Sequence, residues 1–233
     1  MPTGNRLLDA LPPVDAAEIA AAGRVVRLRR DDCTSLQDRP MSCVDFPISA
    51  LMTVQGQLED GTVFEVASVG PEGFVEVDAA LHAEVALRNA ACQFEGEVLR
   101  LSLDDFRRWL RRSEPFAMLV AQAVRARIHV TEQLTMCNLR HSIVQRFARW
   151  LLVACDRLNR SDFDVTHEFV ATILGVRRAG VTSAGGQLER DGALAMSRGL
   201  VTIADSDRLK AASCECYVVC RDVIEASVVP SWR

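Results

Sequence analysis

The 233-residue sequence predicts an α+β protein with three successive parts. These are an antiparallel β jelly-roll barrel, one long helix, and a compact helical unit closed by a β-hairpin. Three observations carry this prediction. Short β-type runs separated by turn signals fill Val25 to Leu101. Apolar residues then alternate in steps of four and three from Phe116 to Cys137. Beyond residue 140, helical patterns are punctuated by glycines at turn-forming spacing. A composition of 49% apolar and 25% charged residues suits a globular chain. No apolar run approaches the roughly 18 residues that span a bilayer, and "MPTGNRLLDALPPVDAAE" lacks the basic start and apolar core of a secretory signal. A cytoplasmic protein is expected, with its eight cysteines mostly free thiols.

The elements follow in order. "LPPVDAAEIAAAG" reads as a short helix, with proline at its start and Gly23 at its end. "RVVRLR", "ISALMTVQG", "TVFEVASVG" and "EVLRLSL" read as strands, with "EDG" and "GPEG" as turns between them. Several short strands at this spacing suit an antiparallel barrel. In "SLDDFRRWLRR", Ser102 is the expected N-cap, and Asp104 and Asp105 fall where the helix dipole favours anions. Its arginines (Arg107, Arg108, Arg111, Arg112) are read as a solvated face rather than a phosphate patch. Between Glu114 and Cys137, the stripe Phe116, Val120, Ala123, Arg127, Val130, Leu134 and Cys137 has the period of a coiled-coil seam. It is read as a dimer contact. The expected divisions are residues 1–112 (barrel), 113–138 (dimerisation and linker helix) and 139–233 (the C-terminal unit).

The C-terminal unit carries the functional signal. "HSIVQRFARWLLVACDRL" is an amphipathic helix with Ile143, Phe147, Trp150 or Leu151, and Ala154 on one face. In "DVTHEFVATILG", Thr166 caps a second helix and Gly175 ends it in a tight turn. A third helix runs from about Arg177 to Arg190 and stops at Asp191-Gly192. "ALAMSRGLVTIAD" then reads as a hairpin around Ser197-Arg198-Gly199. Helix, turn, helix, hairpin is the order of a winged helix-turn-helix, whose second helix enters the DNA major groove. Net charge supports it: residues 139–200 hold nine basic and six acidic side chains, inside a chain of net charge −4.

With "GTVFEVASVGPEGF", "THEFVATILGVRRAGVTSAGGQLERDGAL" and "SRGLVTIAD" in view, the chain resembles the Crp/Fnr family of bacterial transcription regulators over nearly all its length. The resemblance implies a homodimer with an effector domain related to cyclic-nucleotide-binding barrels, a dimer helix and a winged helix reading a palindrome in double-stranded DNA. RNA polymerase is a candidate further partner. Arg177, Arg178, Thr182, Ser183 and Arg198 are the candidate DNA contacts, with Arg178 the expected base reader and Arg198 a phosphate contact from the wing. Effector contacts would fall at Gly70, Glu72, Gly73 and Arg88. The family's phosphate-anchoring arginine and following hydroxyl align instead with Ala86 and Leu87, so no cyclic nucleotide is expected. A cyclic-nucleotide-responsive or thiol-responsive regulator of the same fold is the alternative. A barrel that only binds a partner protein is a more distant one. Cys33 and Cys43 do not reproduce the family's iron–sulfur spacing.

In the third helix, Val181, Ala184 and Leu188 define the buried side. Ala179, Ser183, Gly186 and Arg190 define a small-residue groove face, on which Gly186 permits close approach to base edges. Gly185 is expected to allow close packing on the preceding helix, while Gly180 has no reading from sequence. "CECYVVC" places Cys214, Cys216 and Cys220 together, but the spacing is not that of a zinc finger and no histidine is adjacent in sequence. These are read as structural or surface thiols. With its histidines scattered at 82, 129, 141 and 167, and no phosphate loop or nucleophile elbow, the chain is expected to be no enzyme and to hold no metal or cofactor.

Overall fold

A computed structural model describes residues 2–197 and 199–230. The chain forms two compact units, one of residues 1–57, 66–129 and 222–233, the other of residues 58–65 and 130–221. The expected α+β class holds, with a sheet-rich N-terminal unit and a helical C-terminal one.

Along the N-terminal part of the chain, helices α1 (Arg6–Asp9) and α2 (Pro13–Ala22) precede seven strands. These are β1 (Arg24–Leu28), β2 (Cys33–Ser35), β3 (Cys43–Pro47), β4 (Leu51–Gln57), β5 (Val63–Val69), β6 (Asn89–Phe94) and β7 (Gly96–Ser102), with α3 (Val77–Ala80) between β5 and β6. The strands form two antiparallel sheets, β1-β7-β3 and β2-β6-β4-β5, rather than one closed ring. Leu28, Met52, Val69, Cys92 and Val98 from both sheets form one buried cluster. A second core gathers Phe46, Phe74, Phe106 and Phe116, with ring centroids 5.6 to 6.4 Å apart. Three strands escape the sequence pattern for a physical reason. β2 has only three residues, β3 ends in proline, and β6 ("NAACQF") has no β-branched residue.

A buried polar network braces this unit. Asp45 of β3 stands opposite Arg100 of β7, and the guanidinium donates to both carboxylate oxygens at 2.7 Å. The Glu76 carboxyl accepts from the Asp45 N–H at 2.9 Å and from the Ser35 hydroxyl at 3.0 Å. Burial first, then the Asp45 charge, pushes its pKa up to about 8.

Helix α4 (Leu103–Arg112) starts as expected, with the Asp105 N–H donating to Ser102 Oγ at 3.0 Å. Arg108 and Arg112 pair with Asp105 and Glu18 on a solvated face, whereas Arg107 departs from that reading: it is mostly buried, pairs with Glu84 and donates to the Ala83 carbonyl at 2.9 Å.

Helix α5 (Glu114–Arg140) corrects the reading of its stripe. Phe116 and Val120 are buried in the core of the first unit, and Ala123 packs against it. Arg127 donates to the Phe74 carbonyl at 3.2 Å in that same unit, which accounts for a cation on an apolar stripe. Cys137 is buried with Cys214 and Cys216. The period of 3.5 marks a face that the chain itself covers at both ends, while Val130 and Leu134 between them are half-buried. The opposite face leaves Met118, Ile128, Met136 and Leu139 exposed at 37%, 53%, 54% and 79%.

Candidate nucleic-acid interface

The second unit is built on α6 (Ile143–Leu158), which opens in a capping box between Ser142 and Gln145. Phe147, Trp150, Leu151 and Ala154 are buried along its inner face. Strand β8 (Asp162–Asp164), absent from the sequence reading, leads into α7 (His167–Leu174). Thr166 caps α7, its hydroxyl accepting from the Phe169 N–H at 3.1 Å. Gly175 closes the helix at φ +62, a conformation that glycine adopts without strain. The guanidinium of buried Arg146 donates to the Leu174 carbonyl, tying α6 to the end of α7.

Helix α8 (Arg178–Arg190) follows, with Arg177 as its N-cap residue rather than its first turn. Val181, Ala184, Gly185 and Leu188 are buried, as their spacing predicts. The hairpin β9 (Leu194–Ser197) and β10 (Leu200–Ile203) completes the wing, and β8 pairs with β10 to give a three-stranded sheet.

The glycines of α8 have separate explanations. A Cβ on Gly180 would lie 2.7 Å from Ile143 Cδ1, so this glycine lets α8 approach α6. At Gly185 a Cβ would lie 2.6 Å from Met196 Sδ on the wing and 3.7 Å from Phe147 of α6. The close approach expected there is thus mainly to the wing. At Gly186 the nearest such atom is Arg190 Nη1 at 3.5 Å, an ordinary contact. Gly186 also borders a cleft open to solvent.

That cleft is a groove of about 770 Å³ lined by α7, α8 and the wing. Arg178, Thr182, Gly186 and Glu189 line it from successive turns of α8, facing His167 and Glu168 of α7. Thr182 Oγ1 lies 2.9 Å from His167 Nδ1 and donates to the Arg178 carbonyl. Glu189 accepts from the Met196 N–H at 3.0 Å and joins α8 to the wing. Of the sequence candidates, Arg178 and Thr182 come together here. Arg177 and Ser183 are exposed beside the groove without lining it. Arg198 lies outside the described residues. His167 and Glu189 were missed in sequence, although i, i+4 and i+11 from Arg178 mark Thr182 and Glu189 as neighbours on one helix face. An exposed arginine beside donors and acceptors, in a cleft open to solvent, can hydrogen-bond base edges or phosphates.

The effector candidates each have local partners. Glu72 accepts from the Gly70 N–H at 3.1 Å, so it closes its own turn. Gly73 accepts from the Asn5 side chain at 2.9 Å. Arg88 is exposed, donates to the Leu87 carbonyl at 2.7 Å and lies alongside Gly56. Ala86, aligned with the family's anchoring arginine, is buried.

Helix, tight turn, exposed helix and three-stranded wing define a winged helix-turn-helix protein. Residues 145–212 match the family profile of the Crp-like helix-turn-helix domain. Three solved structures share the fold. A putative Crp/Fnr-family transcriptional regulator from Eubacterium rectale aligns with TM-score 0.68 at 16% identity, over 88% of this chain and 96% of its own. A CRP-family regulator from Thermus thermophilus gives 0.69 at 18%, over 81% and 96%. FixK2 from Bradyrhizobium japonicum gives 0.66 at 14%, over 82% and 98%. No curated protein matches the sequence. The chain therefore carries a Crp-like helix-turn-helix domain within the fold of the Crp/Fnr transcription regulators.

Proposed function

We propose that the protein is a DNA-binding transcription regulator that reads a palindromic operator as a homodimer, with α8 in the major groove. One observation carries this reading. Arg178 and Thr182 stand on the open side of α8, in a matched Crp-like domain, where Gly186 removes the side chain that would hold a base edge away. Arg178 is the base reader in this proposal. Thr182, placed beside His167 and donating to the Arg178 carbonyl, offers its remaining lone pair as an acceptor. Arg177 and Ser183 contact the flanking backbone, as does Arg198 from the wing. Glu168 and Glu189 also line the groove, and their charge disfavours indiscriminate phosphate binding.

Selection of bound sequences from random duplex DNA by the purified full chain tests the reading. A palindrome supports it, and recovery of unrelated sequences refutes it. Arg178→Ala should then cost roughly 1–3 kcal/mol on the selected site and relax selectivity at one base pair per half-site. Equal weakening on selected and scrambled duplexes would move base reading away from Arg178.

The N-terminal unit is proposed as an effector domain for a ligand other than a cyclic nucleotide. The supporting observation is that Arg88 is held at Leu87 and Gly56, while the Gly70–Gly73 turn bonds to itself and to Asn5. Calorimetry with cyclic AMP and cyclic GMP should give no heat of tight binding, and a low-micromolar Kd would overturn this. No helix among the described residues is long and apolar enough to cross a membrane. A chromosomal operator puts the proposed activity in the bacterial cytoplasm, and that activity involves no catalysis.

A further inference from the structure

The C-terminal cysteines do not stand without a histidine. Cys137 and His141 sit four residues apart at the end of α5, and the His141 N–H donates to the Cys137 carbonyl at 3.0 Å, which continues the helical turn. An i, i+4 pair projects from one face of a helix. Helix α9 (Ser206–Ala212) ends at Ser213, and the next residues turn Cys214 and Cys216 toward that face before and at the start of α10 (Cys216–Ser227). The three sulfurs and a ring nitrogen of His141 all lie within 4.8 Å of one another. All four residues belong to the second unit.

Two of the six separations match the edges of a tetrahedron around one ion, and the others do not exceed 4.8 Å. Zn–S bonds of about 2.3 Å and a Zn–N bond of about 2.0 Å set edges of about 3.8 Å between sulfurs and about 3.6 Å between sulfur and nitrogen. Here Cys137 Sγ and Cys214 Sγ are 3.6 Å apart, and Cys216 Sγ and His141 Nδ1 are 3.6 Å apart. A disulfide needs about 2.05 Å, and all eight cysteines are free. The surroundings match what metal ligands require. His141 presents Nδ1 to the sulfurs, while its Nε2 lies 3.3 Å from the Glu215 carboxylate, the partner that fixes tautomer and ring orientation. Gln133 donates to Cys216 Sγ at 3.0 Å. Arg149 of α6, only 8% exposed, places its charge near Cys137, and its Nε has no hydrogen-bond partner. Three thiolates and one imidazole around a divalent ion carry a net charge of −1, which that cation balances.

We propose that Cys137, His141, Cys214 and Cys216 form a structural zinc site that staples the end of α5 to the α9–α10 junction. With four protein ligands and three of them buried, the site is closed, so the ion braces the unit rather than binding substrate. Binding takes up one divalent ion as the ligating thiols release their protons.

The test uses the full chain, purified under reducing conditions and freed of loosely held metal on a chelating resin. Elemental analysis should find one zinc per chain. Exchange with cobalt(II) should give the intense visible bands of tetrahedral thiolate coordination. Cys216→Ser and His141→Ala should abolish both signals, while Cys155→Ser and Cys220→Ser retain them. Glu215→Ala leaves every ligand in place and should weaken zinc binding about ten- to hundredfold. Folded wild-type protein that lacks metal and gives no tetrahedral cobalt spectrum overturns the proposal, whatever the variants do. So does an iron–sulfur chromophore, or a Cys137–Cys214 disulfide that replaces metal in freshly isolated protein.

Discussion

At the scale of single residues, Glu76 and the glycines of α8 make separable predictions. The Glu76 carboxyl is buried beside Asp45, and its pKa rises from an ordinary 4.5 to about 8. Below pH 4.5 the folded and unfolded chains both hold the proton, and the contribution of this group to stability is complete. Between 4.5 and about 8 only the unfolded chain ionises, so stability falls as pH rises through that window. Glu76→Gln keeps a neutral side chain that can accept from the Asp45 N–H and donate to Ser35. The thermal midpoint of the wild type should fall between pH 5 and pH 8 more than that of the variant, and parallel profiles would sink the assignment. On α8, Gly186→Ala adds a methyl that meets only Arg190 Nη1, at an ordinary contact distance of 3.5 Å, and should stabilise by about 0.5–1 kcal/mol through helix propensity. The same change at Gly180 must displace Ile143 Cδ1 and should gain less or lose. Denaturant midpoints of the two variants check that order, and equal gains would mean that α8 and α6 are not closely packed at Gly180. Sequence alone left Gly180 unexplained because the atom it makes room for lies 37 residues earlier in the chain.

At the scale of elements, α5 shows what periodicity reveals and what it leaves open. Its apolar stripe, like the buried faces of α6 and α8, was legible because one covered side of a helix imposes a 3.6-residue rhythm whatever covers it. The identity of the cover was not legible. Phe116 and Val120 meet their own unit's core, and Cys137 meets Cys214 and Cys216. The caps Ser102, Thr166 and Gly175 could be read directly, since they satisfy helix ends locally. The cysteine–histidine cluster was hidden by the search for a histidine near the Cys-x-Cys segment. Its signal was the Cys137-x3-His141 pair, separated from Cys214 by most of the C-terminal unit. For the proposed dimer, the available face of α5 is the one that exposes Ile128 at 53%. Ile128→Asp should leave the fold of each subunit intact, because the side chain is exposed on the single chain, and should shift sedimentation from dimer to monomer. Leu134→Asp, on the half-covered face, should lower stability first. If Ile128→Asp sediments as an unchanged dimer, the contact lies elsewhere.

At the scale of the whole molecule, reading a palindrome demands two α8 helices on one face of the duplex. In the proposed reading a single helix offers few base contacts: of the α8 residues lining the groove, Arg178 and Thr182 present polar side chains to bases, Gly186 only backbone, and Glu189 is tied to the wing. Each good bidentate contact discriminates by about 1–3 kcal/mol, too little to single out one site in a genome. Two half-sites read together multiply the selectivity, because the second binding event becomes intramolecular. That gain depends on spacing, since half-sites read by a symmetric dimer are separated by about one helical turn, roughly 10 base pairs. Inserting about five base pairs between the selected half-sites rotates one of them to the far side of the duplex. Wild-type affinity should then fall by roughly a hundredfold or more, toward that of a single half-site. The Ile128→Asp monomer should bind both duplexes at that lower level and ignore the insertion. The measurement is a titration of each protein against both duplexes at one fixed salt concentration, because phosphate contacts alone would otherwise change the affinities. A wild type indifferent to the insertion would mean that its subunits read DNA independently. The palindrome would then reflect no symmetry of the protein.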